Sequence, residues 1–78
     1  MFYSVKKVKP LADYKLLLEF ENQEEKIFDM KPYMNRGIYK ELINNKLFNS
    51  VSISFDSIEW GNHAAIDPEF LYSKSVKC

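Results

Sequence analysis

One cysteine occurs in this sequence, Cys78, and it is the last residue. A single thiol cannot form an internal disulfide, so the core must hold by packing alone, and a reducing cytoplasm is the expected compartment. Glycine is scarce as well. The two present, Gly37 and Gly61, are too isolated to build a phosphate-cradling loop. His63 is the only histidine, which leaves any metal site short of its third and fourth usual ligands. Seven serines are spread along the chain without a Gly-x-Ser-x-Gly elbow. No metal, cofactor or catalytic set is expected from such residues. No apolar run approaches the ~18 residues of a membrane helix, and the start, MFYSVKKVKP, has no apolar stretch of signal-peptide length. Charge of one sign is missing too: eleven Lys plus Arg balance eleven Asp plus Glu. Net charge therefore draws the chain to neither nucleic acid nor membrane, and it leaves little self-repulsion between copies.

What is present is the composition of a folded protein: 46% hydrophobic, 15% aromatic and 28% charged. Seventy-eight residues hold one domain, 1–78. A chain of that size buries only about 60% of its unfolded surface, so its stability is modest or assisted by self-association.

The pattern along the chain alternates first and then changes period. Residues 3–8, YSVKKV, are β-branched and aromatic enough for a strand. Val5 and Val8 lie three apart, which predicts a bulge or an early end. PLAD (10–13) is turn chemistry. In YKLLLEF (14–20), Tyr14, Leu16, Leu18 and Phe20 share one face, the pattern of a half-buried strand. The polar stretch 21–25 predicts a hairpin turn with Asn22 in positive φ, and KIFDM (26–30) returns antiparallel until Pro32 stops the sheet.

From Asn35, a plausible N-cap, the spacing becomes helical. Ile38, Leu42, Tyr39 and Ile43 form an apolar stripe over 36–44, and Asn44-Asn45 suits the helix end. Val51, Ile53 and Phe55 then alternate inward. Asp56-Ser57 makes a tight turn, and Ile58 and Trp60 return on one face. DPEFLY (67–72) reads as a short helix with Asp67 as cap, Pro68 at its first position and Glu69 near its positive end. The expected fold is α+β: an antiparallel sheet of four to five strands, order βββαββ(α), with one amphipathic helix on its apolar face and a short C-terminal helical segment.

These motifs in order resemble a family of small prokaryotic proteins known as domain of unknown function 2442. The resemblance rests on Val8, Pro10, Leu11, Phe20, Phe28, Asp29, Pro32, Tyr33, Gly37, Tyr39, Leu42, Ile58, Trp60, Pro68, Glu69, Leu71 and Tyr72. It implies an antiparallel sheet with a packed helix, and it brings no established activity. It also implies company of two kinds. Some relatives resemble the N-terminal part of longer proteins with a helix-turn-helix-like extension. Others resemble partners of a short protein encoded alongside, in the manner of a toxin–antitoxin pair. The chain departs from the pattern twice. Asn22-Gln23 stands where relatives have Asn-Gly or Asp-Gly, and Ala65 stands where an Asp is expected.

Three constellations could carry function. Asn62, His63, Asp67 and Glu69 follow Trp60 closely and form a candidate ligand loop, on which an alternative reading as a small enzyme or ligand-binding domain rests. The bland alternative is an exposed turn histidine followed by a helix cap. Lys6, Lys7 and Lys9 make the densest basic patch, suited to weak nucleic-acid binding or simply to a solvated edge strand. Five tyrosines, six phenylalanines and one tryptophan exceed what a small core hides easily. Tyr33, Tyr39, Trp60 and Tyr72 are therefore candidates for an apolar patch with polar tips. The expected function is a non-enzymatic interaction module that pairs with itself or with another protein.

Overall fold

The computed structural model describes residues 3–77. It is α+β, with two antiparallel sheets in place of the single one expected. Strands β1 (Val5–Leu11), β2 (Lys15–Phe20) and β3 (Glu25–Asp29) form the larger sheet, and β7 (Val76–Lys77) adds on beside β3. The smaller sheet has the order β4 (Ser52–Ser54), β5 (Ser57–Glu59), β6 (Ala65–Ile66). Strands of two residues are too short to show a period, which is why β6 and β7 escape the sequence pattern. Cys78 lies outside the described residues.

The larger sheet follows its alternation. Leu16, Leu18 and Phe20 are fully buried, and Phe28 joins them from β3. The spacing of Val5 and Val8 is resolved by a register shift between Val5 and Lys7. β1 continues through Pro10 to Leu11, beyond the expected strand end. Pro10 is tolerated there because β1 is an edge strand, where no ladder donor is required on the open side. Tyr14 is in the connecting turn, with Asp13 at φ 62° and Tyr14 at φ 59° reversing the chain. In the next hairpin the residue with positive φ is Gln23, at 72°, not Asn22. Asn22 instead accepts the Glu24 amide on its Oδ1 at 3.0 Å, an Asx turn that sets the bend.

The segment expected as an amphipathic α-helix is a 3₁₀ stretch, Gly37–Ile43, followed by one α-helical turn, α1 (Asn45–Phe48). Three residues per turn place i and i+3 one above the other. Tyr39 and Leu42 therefore face the core together with Phe48, while Ile38 and Ile43 rotate outward to 44% and 69% exposure. Asn35 does not cap this segment; Arg36 stands at its start without a side-chain cap. Asn44 does not end a helix but begins one, its Oδ1 accepting the Lys46 and Leu47 amides.

The second hairpin is shifted by one residue from expectation. Ser54 pairs with Ser57, so the connection is Phe55-Asp56. Ile53 lies opposite Ile58 and shares its face, yet β4 is an edge strand and Ile53 overhangs the rim at 39% exposure. Phe55 is beyond the pairing altogether and points away from the core. Helix α2 (Pro68–Lys74) starts as the sequence dictates: Asp67 caps it by accepting the Glu69 amide at 2.8 Å, and Pro68 occupies its first turn. One contiguous apolar cluster joins the two sheets, with Leu42, Phe48, Trp60 and Leu71 packed against Leu16, Leu18, Phe20 and Phe28.

Candidate interaction surface

The four aromatics singled out above have three different surroundings. Trp60 is core, 2% exposed, and its indole N–H donates to the Phe48 carbonyl at 3.1 Å. Tyr72 belongs to a cluster at one end of the larger sheet. Its ring stacks on Tyr3 with centroids 3.9 Å apart, and Lys26 Nζ is 3.9 Å from its centroid. The Tyr72 hydroxyl donates to the Glu24 carboxylate. That bond is the main cause holding the Glu24 carboxyl below its ordinary value and pushing the Tyr72 phenol above its own.

Tyr33 and Tyr39 line one cleft of about 320 Å³, together with Met30, Arg36, Ala65, Ile66, Asp67 and Phe70. Its construction follows from local chemistry. Pro32 cannot continue β3, and Asp29 Oδ1 accepts the Lys31 amide at 3.0 Å, bending the chain into a single 3₁₀ turn, Lys31–Tyr33. Tyr33 then stacks on Phe28 with centroids 5.6 Å apart and meets Phe70 of α2 edge-on at 5.3 Å. The Arg36 guanidinium carbon is 6.0 Å from the Tyr33 centroid, at the outer limit for a cation–π contact. Tyr39 crosses to β6, its hydroxyl donating to the Ala65 carbonyl at 2.7 Å. Tyrosine and arginine are enriched at protein–protein hot spots and phenylalanine at interfaces generally, and this open hollow gathers all three. Neither Arg36 nor Phe70 was singled out by the sequence reading. Phe70 falls three residues after the Asp67 cap, in the first turn of α2, where its side chain could have been projected toward the end of β3.

Beside this cleft is a residue in an unusual state. Phe55 is fully exposed, at 100%, with φ at 56°. It is the first residue of a two-residue hairpin connection, a position that favours glycine, asparagine or aspartate because positive φ is required. Holding a bulky side chain in that region costs about 1–3 kcal/mol. The tip does not dangle: the Val5 amide donates to the Asp56 carbonyl at 2.9 Å, tying it to the larger sheet. A hollow between the tip and α2 is lined by Phe55, Asp56, Ala65, Ile66, Asp67 and Pro68. Ala65, Ile66 and Asp67 border the aromatic cleft as well, so the two hollows adjoin at β6. Reading the turn one residue earlier would have exposed Phe55 in the sequence.

The residues of the candidate ligand loop do not converge. Asn62 is spent on the turn itself, accepting the Ala64 amide at 3.1 Å and donating to Glu41 at 2.9 Å. His63 has φ 70° and a side chain 88% exposed, with its Nδ1 3.3 Å from Glu59. Asp67 caps α2 by accepting the Glu69 amide, and Glu69 itself lies in the first turn of that helix. Among the described residues no group of three His, Cys, Asp or Glu could hold a metal ion.

Lys6, Lys7 and Lys9 line a groove between β1 and β4 of about 550 Å³, shared with Glu19 and Glu25. Lys6 is 4.0 Å from Glu19, so acids interrupt any continuous basic track. On an exposed edge strand, lysines, a bulge and Pro10 together discourage pairing with another strand. No helix among the described residues is long and apolar enough to cross a membrane.

No curated protein and no solved structure gives a match to this chain. A family model does, over residues 5–77, spanning both sheets, the cleft and the Phe55 hairpin. On that match the chain belongs to the family described as protein of unknown function (DUF2442).

Proposed function

We propose that the domain is a non-enzymatic interaction module of the cytoplasm that binds a protein, a second copy of itself or a product encoded nearby in a toxin–antitoxin-like or regulatory pair. The observation that supports this most is Phe55. A fully exposed aromatic in positive φ lowers the stability of the isolated domain and gains nothing there. A partner that covers it supplies the missing return. The aromatic cleft beside it offers a second anchor of hot-spot composition. Balanced charge supports close approach of two such domains, since little repulsion must be overcome.

The reading is tested by light scattering on the untagged protein across a concentration series, alongside identification of what co-purifies with it from its host. Growth of mass with concentration, or a stoichiometric protein partner, is expected. A strict monomer at high micromolar concentration with no partner defeats the proposal.

A further inference from the structure

We infer that Phe55 is the knob of a two-fold homodimer and that the cleft lined by Tyr33, Arg36, Tyr39 and Phe70 in a second copy is its hole. The inference rests on the interaction-module reading above and names its partner. Three observations carry it. First, Phe55 is presented on an anchored tip: its side chain is wholly in solvent, while the backbone beside it is tied to β1 through the Asp56 carbonyl. Second, knob and hole are neighbours, since the tip and the cleft both border Ala65–Asp67. A two-fold axis beside β6 brings each knob over the other copy's hole, as an isologous interface requires. A knob and hole on opposite sides of the molecule would instead propagate head to tail. β6 is itself an edge strand of the smaller sheet, its Ala65 carbonyl taken by the Tyr39 hydroxyl, so the axis passes beside that edge through side chains and not through strand pairing. Third, charge matches: Asp56 follows the knob, and Arg36 stands in the cleft with its side chain in solvent. Asp67, the acid within the cleft, accepts the Glu69 amide on its Oδ1 and makes no ion pair with Arg36.

Sedimentation velocity over a wide concentration range tests this on the whole chain, with thermal melting of dilute samples to check folding. The wild-type protein is expected to pass from monomer to dimer and stop. Phe55→Gly is expected to weaken the dimer at least about tenfold. The same variant should leave the melting temperature of the monomer unchanged or higher, because glycine takes positive φ without strain. Arg36→Glu and Asp56→Arg should each weaken association, and the double exchange should restore it. A wild-type dimer unmoved by Phe55→Gly overturns the knob while leaving an interaction module standing. Continued growth beyond the dimer overturns the two-fold arrangement. A wild-type protein that stays monomeric throughout overturns self-association altogether, and the co-purification experiment then decides whether the broader reading survives.

Discussion

Truncating Leu42 and Ile43 separately distinguishes a 3₁₀ segment from an amphipathic α-helix, although the two residues are adjacent. Leu42 is fully buried among the core residues, and Ile43 is 69% exposed. Deleting a buried leucine side chain to alanine removes its transfer energy and leaves a cavity, about 3 kcal/mol in a range of 2–5. Stability at about 0.05–0.15 kcal/mol per residue gives a domain of this length roughly 4–12 kcal/mol in total. Leu42→Ala therefore removes a large fraction of it. At about 4–8 °C per kcal/mol, the midpoint should fall by more than ~10 °C. Ile43→Ala should stay within about 0.5 kcal/mol of wild type, as exposed substitutions do. Trp60, 2% exposed, reports unfolding by its fluorescence in urea. Equal costs for the two substitutions would mean that Ile43 shares the buried face, and the three-residue phasing would be wrong.

Asp67→Ala removes the cap of α2 and should cost about 1 kcal/mol, read in the same urea melts; no change would show that Pro68 alone sets the helix start. Trp60→Phe leaves the Phe48 carbonyl without its indole donor and shrinks a packed core, so a loss of at least about 1 kcal/mol is expected by calorimetry. For the Tyr72–Glu24 bond the pH dependence has two limbs. The Glu24 carboxyl is lowered, so its contribution is complete above the ordinary carboxylate value and is lost as pH falls through the folded value. The Tyr72 phenol is raised, so its contribution is complete below the ordinary phenol value and is lost as pH rises through the folded one. Tyr72→Phe should flatten both limbs of melting temperature against pH, whereas curves parallel to wild type would show that the bond does not matter in solution.

The alternation of Leu16, Leu18 and Phe20 predicted a strand face that is buried in full, and the Asp67-Pro68-Glu69 start of α2 was readable residue by residue. Both depend on neighbours within a few positions. The 36–44 segment was misread because Ile38, Leu42 and Ile43 fit a period of 3.6. Gly37 in positive φ at 48° and the extended Asn44 bound a tighter coil. The candidate site was half legible. Tyr33 and Tyr39 do share a cleft, while Trp60 and Tyr72 are drawn away by a carbonyl and a carboxylate distant in sequence.

By itself, then, the sequence determined the elements whose chemistry is local: period-two strands, the capped helix, an irregularity near Val5 and an α+β class. Tertiary structure decided how those elements were divided and what they leave outside. Register pairs Ser54 with Ser57 and so expels Phe55, and packing brings Arg36 and Tyr39 from one stretch of chain and Phe70 from another to β6. Local propensity extends over a turn or two, whereas register and juxtaposition are fixed by which distant surfaces exclude water together.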